Sequence, residues 1–242
     1  MQAVILAAGV AKRLRPLTDK IPKCLLEAGG KNLLDRTITN ILSNGIDDFI
    51  FVLGYRHEMI LNYIENHFKN INKTILINPD YESNNNSYSL WMTKEHVKDS
   101  ILLLDSDILF DKRIIESLLT PEQENCLAVN ITSELDEEQI KVIVDSDGRI
   151  IEIGKTIDIK KSIGESIGIE KFSPHFLKEL FDVLDRKIIK ENNVNEFYEV
   201  SFQEIINKKD IRNSIFCKDV SEYDCMEIDT IEDYIRAKSF YK

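Results

Sequence analysis

The chain has 242 residues, 43% hydrophobic and 30% charged, with a formal charge of −11 and a pI near 5.0. That length buries a full core and suits one large domain, and the acidic balance argues against nonspecific binding to nucleic acid or an anionic membrane. No apolar run approaches the roughly 20 residues of a membrane span, no secretory signal pattern opens the chain, and Cys24, Cys126, Cys217 and Cys225 contain no CxxC, so a cytoplasmic protein with reduced thiols and no zinc cluster is expected.

In chain order, Val4-Ile5-Leu6 reads as a buried strand opening into the small residues Ala7, Ala8 and Gly9, where backbone N–H groups can approach a ligand closely. Lys12, Arg13, Arg15, Lys20 and Lys23 follow, facing one acid, Asp19. The plain alternative is a solvated basic loop, but so strong a reversal of charge in an acidic chain favours a phosphate-bearing ligand. Leu33, Leu34, Ile38, Ile41 and Leu42 recur at helical spacing, with Gly45 as the stop. Asp48 to Leu53 reads as a second strand, His57 to Phe68 as a helix, and Thr74 to Ile77 as a third strand ended by Asn78 and Pro79. Strand and helix alternating across short connections predict an α/β domain with a mainly parallel sheet.

The polar run Asp80 to Ser89 leaves the third strand at the end where such sheets bind ligands. Its asparagines suit the edge of a nucleobase; a surface loop of turn-formers is an equal reading. Ile101 to Leu104 is an apolar strand running into Asp105-Ser106-Asp107, and carboxylates two apart share one side of an extended chain. They suit Mg2+, which combines one or two carboxylates with substrate phosphates, or else they cap a following helix. Lys141 to Val144 and Arg149 to Ile153 form a hairpin around Asp145-Ser146-Asp147-Gly148. Glu165 to Lys171 is a further strand, and helices are expected over Pro174 to Lys190 and Glu196 to Asn207. This region reads as a lid or acceptor-binding annex whose exposed edge strand would suit a homodimer. At the end, Asp229 either caps the helix from Thr230 to Ala237 or, with Glu227, brings a second pair of carboxylates to the metal.

Leu6-Ala7-Ala8-Gly9, Arg13, Pro16 and Pro22-Lys23, joined by Gly54-Tyr55, Asp105-Ser106-Asp107 and Glu227-Ile228-Asp229, resemble the sugar-phosphate nucleotidylyltransferases over nearly the whole chain. Asn85-Asn86-Ser87-Tyr88-Ser89-Leu90 is similar to the small CTP-dependent branch that handles phosphocholine, 2-aminoethylphosphonate and related acceptors. Gly148-Arg149-Ile150, Gly154-Lys155 and Gly164-Glu165 also resemble the inositol-phosphate cytidylyltransferases. The resemblance implies a Rossmann-like GT-A fold and one nucleotidyltransferase domain. Its nucleotide-binding core would span 1–135, an acceptor-binding or lid region 136–220, and a returning metal-site strand and helix 221–242. It also implies Mg2+-dependent transfer of CMP from CTP to a small phospho-acceptor, with pyrophosphate released, in a pathway such as cell-surface polymer synthesis.

On this resemblance Leu6, Ala7, Ala8, Gly9 and Lys12 hold the nucleotide, with Gly54, Tyr55 and Asp105 nearby, and Arg13 meets the departing phosphates. Lys23 spans the α-phosphate and the acceptor phosphate, while Asn85, Asn86, Tyr88 and Ser89 read the base. Asp107, Asp229 and Glu227 hold the metal. For the acceptor, Glu196-Phe197-Tyr198-Glu199 offers an aromatic cage with acids or merely helix core; Lys155, Lys171 and Glu165 offer further contacts, although each lysine could equally be ordinary surface. One departure concerns Ala11 and Lys12, which stand where the family has Gly followed by Ser or Thr; Ala11 fits only if its φ is not positive. Rival readings are a nucleotide-sugar pyrophosphorylase using UTP, dTTP or GTP, a GT-A glycosyltransferase, and a non-catalytic nucleotide-binding module. Against these stand the short chain, the Arg13–Lys23 cluster and the complete set of charged motif residues.

Overall fold

The computed structural model describes residues 1–120, 122–132 and 134–240. Pro121 and Ser133, within the expected 1–135 core, and Tyr241 and Lys242, at the end of 221–242, lie outside the described residues. A nine-stranded mixed sheet forms the centre. Its strands are β1 (Gln2–Ala7), β2 (Asp48–Leu53), β3 (Asn72–Ile77), β4 (Ile101–Asp105), β5 (Cys126–Ile131), β6 (Lys141–Val144), β7 (Ile150–Gly154), β8 (Gly164–Phe172) and β9 (Phe216–Asp219). The order is β7-β6-β8-β4-β1-β2-β3, with β5 also paired to β8 and β9 to β5. β3, β2, β1 and β4 run parallel, and β8 lies antiparallel to β4.

The helices are α1 (Leu33–Ser43), α2 (His57–His67), α3 (Asn86–Met92), α4 (Arg113–Leu118), α5 (Pro174–Asp185), α6 (Glu199–Asn207) and α7 (Ile231–Phe240). All six residues of β1 are buried. Ala3, Ile5 and Ala7 face the core made with α1, α2 and α4, whereas Val4 and Leu6 face that made with α3, α5 and α6. A strand covered on both faces must be apolar throughout, which is why these strands read as continuous hydrophobic runs. The α1 stop is as expected: Gly45 has φ 79° and its N–H donates to the Leu42 carbonyl at 3.0 Å.

Three expectations need correction. Asn85 is not mid-loop but the cap of α3, its side-chain oxygen accepting from the Asn86 N–H at 2.8 Å, so Asn86 to Ser89 are helical. The hairpin and β8 are not an annex laid across an edge; they extend the one sheet, with Ile169–Phe172 of β8 paired to β4. Nor is the β7 edge open, because Gln203 of α6 accepts from the Ile153 N–H at 2.7 Å and donates to the Ile151 carbonyl at 3.2 Å. A side-chain amide thus serves that edge as a neighbouring strand would. The strands β5 and β9 and the short strand Ile108–Phe110 were not anticipated, whereas Cys225–Glu227 is the returning strand expected within 221–242. Among the described residues no helix is long and apolar enough to cross a membrane.

Candidate active site

The carboxyl ends of β1 and β4 open into a cleft of about 910 Å³. Its floor is the turn from Ala7 to Gly9, where a Cβ added at Gly9 would meet nothing within 4 Å, so the backbone is open to the cleft. Gly54 plays a different part. A Cβ there would stand 2.6 Å from the Ala8 carbonyl oxygen and 2.8 Å from the Tyr81 Cβ, so glycine lets the β2 exit pack against the first loop. The Tyr55 N–H donates to the Ala8 carbonyl at 3.0 Å, and its hydroxyl donates to the Thr18 carbonyl at 2.8 Å. Gly54 and Tyr55 therefore brace the loop from behind and do not line the cleft.

Ala11 has φ 52° and ψ 54°, the left-handed conformation that the sequence reading excluded for alanine. It is held there because its carbonyl accepts from the Leu14 N–H at 3.1 Å and from the Thr18 hydroxyl at 2.9 Å. The strain costs on the order of 1 kcal/mol. The turn that follows points Lys12 and Arg13 into the cleft.

Lys23 begins a short 3-10 turn after Pro22 and is only 9% exposed. Its Nζ donates to Asp107 Oδ2 at 2.9 Å and to Asp229 Oδ1 at 2.6 Å. Burial pulls its pKa down, but Asp107 and Asp229 more than offset this and carry it up to about 12. Arg13 donates to the other Asp229 oxygen. The topology explains why these acids meet, since they lie far apart in sequence. Ile108–Phe110 pairs antiparallel with Cys225–Glu227, setting Glu227 opposite Ile108, and the Ile228 N–H donates to the Asp107 carbonyl at 3.1 Å.

The two readings of Asp229 resolve on the cap of α7. The Thr230 hydroxyl accepts from the Asp233 N–H at 3.2 Å, and Asp233 accepts in return from the Thr230 N–H at 2.8 Å. This reciprocal capping box does the work expected of Asp229, whose carboxylate turns instead to Lys23 and Arg13. One carboxylate oxygen each of Asp107, Glu227 and Asp229 lies within 4.8 Å of the others. Asp107 Oδ1 is buried without a hydrogen-bond partner. Clustered hard oxygens with one left over suit a divalent cation. Desolvation within the cleft, then Asp107 and Asp229, raise the Glu227 carboxyl to about 8.

Asp105 behaves differently from Asp107, and the element that directly follows the pair is the strand Ile108–Phe110, so neither acid caps a helix. It lines the cleft but accepts from the Tyr198 hydroxyl at 3.0 Å, and that hydroxyl also lies 3.3 Å from Glu170 Oε1. Burial, then Asp107 and Glu199, push Asp105 well above the usual carboxylate range. Burial and Asp105 do the same to Glu170. Sequence reasoning missed Glu170; the signal was a charge inside Ile169-Glu170-Lys171-Phe172, a stretch of strand with neighbours on both sides.

At the end where the base was expected, Asn85, Asn86 and Ser89 line the cleft with Tyr81 and Asn84. Tyr88 does not; it packs beside the second core, 5.4 Å ring to ring from Trp91. Asn86 Oδ1 accepts from the Tyr198 N–H at 3.0 Å, and the Asn85 N–H donates to the Val194 carbonyl at 3.0 Å, tying this end to the segment before α6. Lys155, Glu165 and Glu199 also line the cleft, with Phe197. Lys171 is buried away from it, donating to the Thr120 carbonyl at 3.0 Å, and Tyr198 is buried behind the wall with Asp105. Neither of these two lines the cleft, so the acceptor contacts expected of them are corrected.

A family model described as nucleotidyl transferase matches residues 2–153. The chain is 29% identical over 231 residues to the CTP:phosphoglutamine cytidylyltransferase of Campylobacter jejuni, covering 86% of this chain and 89% of that protein. It is 25% identical over 250 residues to the choline-phosphate cytidylyltransferase of Streptococcus pneumoniae, covering 100% and 99%. Its fold is similar to that of the inositol-1-phosphate CTP transferase from T. maritima, with a TM-score of 0.81 and 23% identity over 100% of this chain and 96% of that one.

Proposed function

The chain belongs to the nucleotidyl transferase family, and from that premise we propose that it transfers CMP from CTP to a small phosphate or phosphonate acceptor bearing an amine or amino-acid group, releasing pyrophosphate, with Mg2+ as the metal. The observation that carries this reading is the cleft in which Lys23 and Arg13 lie against Asp107 and Asp229, between an asparagine-lined end and an acceptor-side wall. Cytidylyltransferases among the relatives support CTP as the donor.

In the reaction, an acceptor oxygen attacks the α-phosphorus in line. The new P–O bond forms as the bond to the bridging oxygen breaks, and pyrophosphate leaves with that electron pair. Little covalent work falls to the protein; positioning and neutralisation of charge carry the rate. Backbone N–H groups around Ala8 and Gly9 hold the nucleotide. Arg13 turns from Asp229 to the β- and γ-phosphates, and Lys23 turns to the α-phosphate and the acceptor, where charge builds. Asp107, Asp229 and Glu227 would hold Mg2+, and their fit rests on the clustered oxygens and the unpartnered Asp107 Oδ1. When bound, the metal supplies Lewis-acid stabilisation of the phosphoryl oxygens.

Pyrophosphate release, followed with each nucleoside triphosphate against a panel of amine-bearing phospho-acceptors, inositol phosphate and sugar phosphates, tests the reading. CTP dependence with an amine-bearing acceptor is the expected result; preference for UTP with a sugar phosphate would sink it.

A further inference from the structure

Resting on the CMP-transfer reading above, we propose that the far end of the acceptor is a zwitterion, an ammonium beside a carboxylate as in an α-amino acid, with Glu199 reading the ammonium and Lys155 the carboxylate. Glu199 opens α6 on the cleft wall, yet it is only 6% exposed. Its Oε2 has no hydrogen-bond partner, and among the described residues it enters no ion pair within 4.0 Å. A carboxylate desolvated to this degree needs a donor or a cation, and the cleft is the direction from which one can come.

Lys155 follows β7 on the same wall, with Nζ 4.6 Å from the centroid of the Phe197 ring. This contact decides between two kinds of cationic acceptor. A quaternary ammonium is held mainly by open aromatic faces, but the Phe197 face here is already covered by a cation. Lys155 is otherwise paired at 3.5 Å with Glu138, whose side chain is largely exposed, so that pair is weak and readily exchanged. Burial carries the Glu199 carboxyl up to about 7, with its own backbone N–H and the Lys155 charge opposing.

Neither charge alone satisfies this wall. A bare ammonium beside Glu199 would feel Lys155, and a bare carboxylate beside Lys155 would feel Glu199. Opposite charges carried a few bonds apart on one ligand meet both. The segment before α6 is tied to the nucleobase end through the Asn86–Tyr198 and Asn85–Val194 hydrogen bonds, so the wall that reads this zwitterion is fixed relative to the asparagines.

The test compares kcat/KM for pyrophosphate release at saturating CTP and Mg2+ with O-phosphoserine and O-phosphohomoserine, phosphoethanolamine, phosphocholine, and 3-phosphoglycerate. The better zwitterion should lead each of the other three by about tenfold or more, because each leaves Glu199 or Lys155 without its counter-charge. Glu199→Gln should erase its lead over 3-phosphoglycerate, and Lys155→Met its lead over phosphoethanolamine. Calorimetric titration of the better zwitterion into the wild type and both variants should give the same order without turnover, and circular dichroism should be unchanged. Phosphocholine or phosphoethanolamine matching the zwitterions, or a lead that survives both substitutions, overturns the assignment while CMP transfer stands. Turnover only with another nucleotide or with sugar phosphates removes the CMP-transfer reading, and this assignment with it.

Discussion

Lys23 holds two carboxylates far apart in the sequence, Asp107 and Asp229, with one buried ammonium. On the proposed reading Lys23 is a buried charge where phosphates react and acts mostly in the transition state, so Lys23→Met should lower kcat by about 10²–10³ with KM much less affected. Its folded pKa, near 12 against an ordinary 10.5, has a thermodynamic consequence with a definite sign. A raised lysine pKa contributes stability that is complete below about 10.5 and lost as the pH climbs through 12. The shift corresponds to about 2 kcal/mol. Urea denaturation at pH 8 and at pH 12 should show the gap between wild type and Lys23→Met shrinking by that order. Ala11 is the opposite case, a residue that strains its own backbone. Ala11→Gly removes the left-handed penalty of about 1 kcal/mol and adds unfolded-state entropy worth roughly 0.5–1 kcal/mol, so a net gain of up to about 0.5 kcal/mol is expected in thermal unfolding.

The capping box of α7 decides the chemistry of the residue just before it. With Thr230 and Asp233 satisfying each other, Asp229 is left for Lys23 and Arg13. Thr230→Ala should cost about 1 kcal/mol of stability by denaturant titration. Activity should fall further than that loss explains, because Asp229 becomes the nearest substitute cap. This is also where the limits of the sequence show. β1, β2 and β4 were legible because strands buried on both faces are apolar without interruption. The strand Ile108–Phe110 was not, since three residues beside an acidic turn carry no periodicity, yet its pairing to Cys225–Glu227 is what assembles the acids. Tyr88 and Lys171 misled because residue type suggested contact while their direction is set by packing that only the fold determines. Ala11 misled for a related reason: two hydrogen bonds to its carbonyl outweigh a local preference.

Across the whole molecule, one sheet joins the loop that carries Lys23 to the wall that carries Glu199, and β8 sits at the junction with β4. Glu170 lies in that junction at 0% exposure, its pKa raised well above the ordinary 4.5 by burial and then by Asp105. For an acid, a raised folded pKa means that the native state binds its proton more tightly than the unfolded chain. Stability is therefore lost as the pH rises from about 4.5 toward the folded value. Glu170→Gln keeps an acceptor for the Tyr198 hydroxyl and removes the titration, so its stability relative to wild type should improve steadily from pH 4.5 to 8 in thermal scans. The pairing of Arg13 and Lys23 with Asp107 and Asp229 bears on capture as well as turnover. A molecule of charge −11 repels a triphosphate at long range. On the proposed reading, each basic group trades one anion for another while each acid trades an ammonium or guanidinium for a divalent ion. Such swaps conserve the number of opposite-charge contacts and release few counterions, so nucleotide affinity at this cleft is governed by short-range exchange and depends only shallowly on ionic strength.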